Sequence, residues 1–483
     1  MELWKFGPIG VAVIVGSMSL LGCEGAEGPA GATGPAGANG PAGQKGGEGP
    51  QGPVGSVGTP GAPGTPGGTG PAGPEGRPGA DATLRPDRLL DARLCGWVDS
   101  ARTKLNDLIR TRGKASTTWD PAERPVAVFD WDNTVLKNDI GDATTFWMVN
   151  NDVIRQPPNR NWNESNKLLT APAVAALNNA CDALAEPGER LPTSTSTACA
   201  TAIAGIYTTG LVPGTTSRAF SPEVTLTNNA PYEWVAQLLA GYTPEEAREF
   251  ALSAFELNTS RELGATQTVG SLTGLTGYVR IYEPIRDLAV TLTENGFDVW
   301  VVTASPQYVV EAISDQIGVP RDHVIGIRSV LDRGRITAQI QGCGDSADGN
   351  DSLITFDQGK RCWINKVIFH ESTDQQMSVN SDPRRRPVFV AGDSDTDIAM
   401  LKDATHLRLV INRGKTQIMC NAYANLQDRW VVQPMFISPR AQRSTPYSCT
   451  TAVDAAGNLI VDEAGSAFSM DYADSVFALP SCP

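Results

Sequence analysis

Histidine is close to absent from this chain of 483 residues: only His323, His370 and His406 occur, and no pair stands at metal-ligand spacing such as H-x-x-x-H. That scarcity argues against a zinc centre and against histidine-based phosphoryl chemistry. Positive charge is also in deficit, with 39 Lys and Arg against 53 Asp and Glu and a formal net charge of −14. A nucleic-acid partner leaves a basic stripe as its footprint, and none is visible. Any anionic ligand of so acidic a protein must meet positive charge supplied locally. Apolar runs are short as well. The run over residues 9–21, preceded by Lys5, falls below the roughly 20 residues of a membrane-spanning helix and fits the h-region of a secretory signal.

That run ends in Leu20-Leu21-Gly22-Cys23, which resembles the lipobox of bacterial lipoproteins. The resemblance implies a signal peptide over 1–22, lipidation of Cys23, and a lipid-anchored protein of the bacterial cell envelope, exposed to the periplasm or the cell surface. Eight cysteines then remain: Cys95, Cys181, Cys199, Cys343, Cys362, Cys420, Cys449 and Cys482. An even number in an exported chain suggests disulfides, with Cys181–Cys199 and Cys343–Cys362 as local pairs. Buried free thiols are the alternative.

Glycine recurs at every third position over residues 25–79, in nineteen unbroken triplets. Three polyproline-II chains wind together only when each third residue lacks a side chain, so this period is the collagen signature. A complete rod would be about 170 Å long at about 3.1 Å per residue, and it would make the protein a homotrimer. A Pro/Gly-rich linker is the other reading. Either way, residues 23–81 form a stalk.

The rest has an ordinary globular composition. Residues 88–112 show apolar positions close to helical spacing and predict an amphipathic helix. A buried strand over 125–129 leads straight into Asp130, and the same strand-then-polar pattern recurs at 297–302 before Thr303 and at 387–391 before Gly392-Asp393. Helices near 307–317 and 396–401, with strands near 323–327 and 407–411, complete an alternating α/β reading. The segment 138–278, with helical stretches near 172–184, 230–239 and 244–257, is too long for a loop and reads as a helical cap. The expected layout is a catalytic core over 84–137 and 279–433, the cap between its halves, and an irregular appendage over 434–483 held by cysteines.

Four pieces stand in order: Asp130-Trp131-Asp132-Asn133-Thr134, Thr303-Ala304-Ser305, Gly359-Lys360, and Gly392-Asp393-Ser394-Asp395-Thr396-Asp397. Together they resemble the four motifs of the haloacid dehalogenase superfamily, over roughly residues 120–415. The resemblance implies an α/β fold with a Rossmann-like parallel sheet, a cap inserted after the first strand, and phosphatase activity through an aspartyl-phosphate. Asp130 would be the nucleophile and Asp132 the general acid and base. Mg²⁺ would be held by Asp130, the Asp132 carbonyl and Asp393, with Asp397 acting through bound water. Thr303 and Ala304 would hold a phosphate oxygen, and Ser305 would either join them or cap the following helix. The motif lysine is Lys360 or Lys366; Lys360, after Gly359, resembles the phosphoserine-phosphatase branch. Asp395 is expected in the outer shell or at the surface.

The cap and the stretch Val301-Val302-Thr303-Ala304-Ser305-Pro306 resemble that branch too, which includes phosphorylcholine phosphatases. A small phosphomonoester is the implied substrate. Trp147, Tyr232, Trp234 and Tyr242 either box a quaternary ammonium or serve as core. Two other functions stay open: a surface adhesion protein using the collagen-like rod with a non-catalytic domain, and a phosphotransferase.

Overall fold

The computed structural model describes residues 88–481. The lipobox with Cys23, the glycine repeat and Cys482 lie outside the described residues. Strand β1 (Val126–Phe129) is buried at all four positions. A strand covered on both faces reads as an unbroken apolar run, as central strands of parallel sheets do. The others follow in chain order: β2 (Leu136–Lys137), β3 (Thr266–Val269), β4 (Leu272–Thr276), β5 (Arg280–Ile281), β6 (Asp298–Pro306), β7 (Val324–Ile327), β8 (Ser329–Asp332), β9 (Arg335–Ile340), β10 (Phe389–Gly392), β11 (Leu407–Asn412) and β12 (Trp430–Pro434).

Six strands make one parallel sheet in the order β12-β11-β10-β1-β6-β7. Alternate residues of β1 serve two cores. Ala127 and Phe129 belong with Leu105, Ile109 and Leu288 of the helices Asp99–Arg112 and Glu283–Glu294. Val126 and Val128 belong with Trp363, Leu401 and Met419 of the helices Gln358–Val367, Ile398–Asp403 and Thr416–Ala424. The chain winds from β1 through β6 to β7, then resumes at β10 on the other side of β1 and winds the opposite way. The carboxyl ends of β1 and β10 therefore flank a topological switch point, where diverging loops leave a crevice.

Two insertions cover that end. β2 and β5 pair antiparallel, and between them run the helices Ile140–Asn150, Ala171–Cys181, Thr197–Thr209, Ala230–Gln237 and Pro244–Ser260. Thr243 and Glu246 start the last of these with a capping box, which satisfies two backbone N–H groups reciprocally. The second insertion follows β7: the β8–β9 hairpin, turned by Arg333 and Gly334 at positive φ, and a loop into the helix Gln358–Val367. The disulfides are Cys181–Cys199, Cys343–Cys362 and Cys420–Cys449, and Cys95 is disulfide-bonded as well.

The helix expected over 88–112 is shorter, beginning at Asp99. Gly96, at φ +101°, turns the chain in a way that ends helical geometry. Leu90 and Trp97 are still buried, so their spacing reflects packing of an irregular segment. The helix expected over 307–317 is an α-helical Gln307–Glu311 followed by a 3-10 turn at Ser314–Ile317. Strand β12 and the β8–β9 hairpin were not anticipated.

Candidate active site

Asp130 directly follows β1, and its backbone N–H donates to the Ala391 carbonyl of β10 at 2.9 Å. Lys360, in the first turn of Gln358–Val367, points its ammonium at Oδ1 of Asp130 (2.7 Å) and Oδ1 of Asp397 (2.6 Å). The lysine is fully buried. Thr134 donates its hydroxyl to Oδ2 of Asp130 at 2.8 Å and lies 3.2 Å from Oδ1 of Asp393. Asp393 is the first residue after β10. Oδ2 of Asp397 accepts the N–H groups of Asp393 and Ser394, both at 3.0 Å. Gly392 makes that approach possible, since a Cβ there would stand 2.7 Å from the Asp397 Cβ. Asp130, Asp393 and Asp397 thus present carboxylate oxygens within 4.8 Å of one another.

Asp132 is turned to a different set of partners. Its Oδ1 accepts the N–H of Ile140, at the base of the cap, and its Oδ2 accepts the Ser305 hydroxyl, both at 2.7 Å. Ser305 is therefore bound to the aspartate and caps no helix with its side chain. Ala304 and Ser305 line the cavity over the site. Thr303 sits fully buried behind them, its hydroxyl 3.5 Å from Asp132 and accepting the N–H of Ser305 at 3.0 Å.

The structure separates the two lysines. Lys366 donates to the Gly342 carbonyl at 2.6 Å and lies over the Trp363 ring, away from the aspartates. Asp395 faces the neighbouring helix, accepting the N–H of Ile418 at 2.9 Å. The aromatic box does not form. Trp234 and Tyr242 are fully buried, Tyr242 donates to the Val153 carbonyl at 2.6 Å, and Trp147 stacks on Phe250. Of the four, Tyr232 alone borders the cavity.

Several site residues escaped the sequence reading. Arg413, immediately after β11, donates to Oδ2 of Asp393 at 2.7 Å. The available signal was a cation just beyond β11, after the short apolar run 409–411 and Asn412. Asp139 caps the helix Ile140–Asn150 by accepting the Asp142 N–H at 2.9 Å, and Asp142 accepts the Tyr207 hydroxyl. Asp139, Tyr207, Tyr232 and Arg413 share the cavity wall with Asp130 and Asp132.

Burial dominates the electrostatics. It pushes the Asp130 carboxyl up to about 6 against the pull of Lys360, with Asp393 adding to the rise. Burial and then Asp139 hold Asp132 well above the usual carboxylate range. Burial and Asp142 raise Asp139 to about 7, and burial raises Asp142 to about 6 despite the Tyr207 hydrogen bond. Burial works against the charge on Lys360, but Asp130 and Asp397 outweigh it and hold the ammonium above its ordinary value. Arg413 is held up in the same way by Asp393. Carboxylates outnumber cations here, and a cation brought to the triad would relieve the excess.

Residues 216–402 match the family model described as haloacid dehalogenase-like hydrolase. Over that span the chain is similar to haloacid dehalogenase-like hydrolases. The match takes in Thr303, Lys360, Asp393 and Asp397, and β1 brings Asp130 and Asp132 to the same place. Among solved structures, a conserved functionally unknown protein from Anaerococcus prevotii DSM 20548 is 22% identical, with 69% of this chain and 91% of that one covered and a TM-score of 0.52. Its likeness is one of fold. A substrate-bound phosphoserine phosphatase complex is 12% identical over 60% of this chain and 86% of that one, with a TM-score of 0.27. No curated protein matches.

Proposed function

We propose that the domain is a Mg²⁺-dependent phosphomonoesterase that works through an aspartyl-phosphate on Asp130. The observation that carries this reading is the division of labour among the aspartates. Asp130 lies against a buried lysine in a three-carboxylate cluster, while Asp132, two residues on, is held apart by Ser305 and the Ile140 N–H.

In the first step a carboxylate oxygen of Asp130 attacks phosphorus as the P–O bond to the leaving group breaks, and Asp132 gives that oxygen its proton. In the second, Asp132 takes a proton from a water whose oxygen attacks the phosphorus. The acyl-phosphate P–O bond breaks, inorganic phosphate leaves, and both aspartates return to their starting states. Lys360 offsets the charge of Asp130 and Asp397 throughout.

The donor set suits a hard cation, being carboxylate oxygens in negative excess with no nitrogen or sulfur among them. Asp130, Asp393 and the Asp132 carbonyl would hold Mg²⁺, with Asp397 behind them. When bound, it would neutralise phosphate charge beside the aspartates.

The cavity, about 70 Å³, is far below the roughly 300–1,000 Å³ of pockets for larger ligands. A compact substrate follows. Asp139, Tyr207 and Tyr232 on the cap side of the wall favour a cationic head group, as in phosphoserine-like or phosphocholine-like esters. The lipobox and the glycine repeat add the proposal that this activity is held at the bacterial cell envelope on a lipid-anchored, trimeric stalk.

The test is phosphate release from phosphoserine, phosphocholine and p-nitrophenyl phosphate, with Mg²⁺ or EDTA, by the chain and by Asp130→Asn. Metal-dependent release abolished in the variant supports the reading. Failure of folded, Mg²⁺-supplied protein on every ester would leave the adhesion reading in its place.

A further inference from the structure

A phosphate dianion that enters the active-site cavity meets a wall carrying four aspartates, Asp130, Asp132, Asp139 and Asp393. Lys360 does not offset them from the wall. It is fully buried, and its ammonium is committed to Asp130 and Asp397. Among the described residues of the wall, Arg413 is the one cation.

Arg413 is also reachable and largely unspent. Its side chain is 31% exposed, whereas that of Asp393, which accepts its Nη1 donor at 2.7 Å, is 2% exposed. A guanidinium has five N–H donors in a planar fork, and this hydrogen bond is the only one the Arg413 side chain makes among the described residues. Its charge is felt across the cavity. Burial raises the carboxyls of Asp139 and Asp142 and the hydroxyl of Tyr232, and Arg413 pulls all three back. The guanidinium therefore serves both Asp393 of the core and the acidic wall of the cap.

The segment after β12 fixes this arginine from behind. Asn412, the last residue of β11, is buried, and its amide donates to Oδ1 of Asp474 at 3.1 Å and to the Val476 carbonyl at 2.7 Å. Oδ1 of Asn412 accepts the N–H of Gly414 at 2.9 Å, closing the turn that carries Arg413. Asp474, buried as well, accepts the Tyr423 hydroxyl at 2.8 Å and the N–H of Arg443 at 3.1 Å. The disulfide Cys420–Cys449 joins the same segment to the helix Thr416–Ala424, which begins three residues after Arg413. Residues 412–414 are thus gripped from both sides.

We propose that Arg413 is a substrate-binding residue that takes non-bridging oxygens of the phosphoryl group, held in place by the Asn412–Asp474 clasp. This rests on the phosphomonoesterase reading and gives it the cation that the cavity wall otherwise lacks. With Nη1 on Asp393, the Nε–Nη2 edge would supply two parallel N–H donors, the geometry in which arginine recognises phosphate.

Calorimetric titration of the full chain with inorganic phosphate in the presence of Mg²⁺, and with Mg²⁺ alone, tests this. Arg413→Gln is expected to bind phosphate at least about tenfold more weakly, as loss of charge-assisted hydrogen bonds implies. The same variant should bind Mg²⁺ alone at least as tightly as the parent, because a cation beside Asp393 is gone. Arg413→Lys, which keeps the charge and loses the fork, should weaken phosphate less, and it carries the comparison if Arg413→Gln does not fold. Asp474→Asn should weaken phosphate in the parent chain and add no further loss when combined with Arg413→Gln; Tyr423→Phe, which removes one hydrogen bond to Asp474, takes its place if Asp474→Asn does not fold. Phosphate binding unchanged in Arg413→Gln would overturn the proposal. So would a parallel loss of Mg²⁺ affinity, which would make Arg413 an orienting partner of Asp393 alone, or equal losses from Asp474→Asn with and without Arg413. A parent chain that binds no phosphate and releases none from any ester would instead overturn the phosphomonoesterase reading, and this inference with it.

Discussion

The ammonium of Lys360 lies 2.6 Å from Oδ1 of Asp397, and both side chains are fully buried. An ion pair sealed in this way cannot lose one member cheaply, because the other is left charged without solvent. Lys360→Met is expected to lower unfolding stability by about 3–5 kcal/mol, measured by denaturant titration. It should also reduce phosphate release by at least about a hundredfold, in line with removal of a buried charge-stabilising group. Lys366→Met should leave the rate within about twofold of the parent, since that lysine reaches only the Gly342 carbonyl and the Trp363 ring.

Asp132→Asn separates the two half-reactions. A p-nitrophenyl ester has a leaving group that departs without needing a proton, whereas breakdown of the aspartyl-phosphate still needs a base. The expected outcome is a burst of about one nitrophenolate per site followed by slow turnover, the signature of an accumulating covalent intermediate. Rapid-mixing absorbance measures it. A linear trace at the parent rate would remove Asp132 from proton transfer.

The disulfide Cys343–Cys362 closes 19 residues of chain and ends two residues after Lys360. Loop-closure entropy for a span of that size is worth about 3 kcal/mol. The double substitution Cys343→Ala, Cys362→Ala should lose about that much stability. Phosphate release should fall with it, because the helix that aims Lys360 loses its tether two residues further on. Stability and rate measured on the same preparation check both.

Glu233 is fully buried in the cap, accepting amides from Asn228 (2.6 Å) and Gln237 (3.0 Å). Burial raises its carboxyl to about 8 against those hydrogen bonds. A raised acid binds its proton more tightly in the folded state. Its contribution is therefore full below the unfolded value near 4.5 and is lost as pH rises through about 8. Glu233→Gln should flatten the fall in stability across that window, which otherwise reaches up to about 1.4 kcal/mol per pH unit. Urea midpoints of both chains at several pH values provide the comparison; parallel curves would exclude a proton on Glu233.

Asp130 and Asp393 were legible because each follows a fully buried parallel strand, where an unbroken apolar run stops abruptly at a charge. β1 before Asp130 and β10 before Asp393 have that form. Lys360, behind a glycine, was already favoured over Lys366 on the same helix, and the geometry sets Lys360 against Asp130 and Lys366 against the Gly342 carbonyl. Arg413 was hidden because its strand, β11, has no motif attached. Asp139, Asp142 and Tyr207 were hidden because the cap brings them in from different helices, and no local pattern encodes that meeting. The segment before Asp99 misled for the opposite reason: burial of Leu90 and Trp97 gave apolar spacing to a chain that Gly96 keeps out of a helix.

The short helix Ala230–Gln237 puts Tyr232 and Val235 on the wall of the active-site cavity and Gln237 on the wall of a second, outer cavity. Eight helical residues measure only about 12 Å from end to end. They act as a single bar with a chamber at either side. Substitutions along this bar are thus constrained from two directions during descent: a change that reshapes the inner chamber also redraws the outer one. Lineages that alter the substrate through Tyr232 or Val235 should carry compensating changes near Gln237.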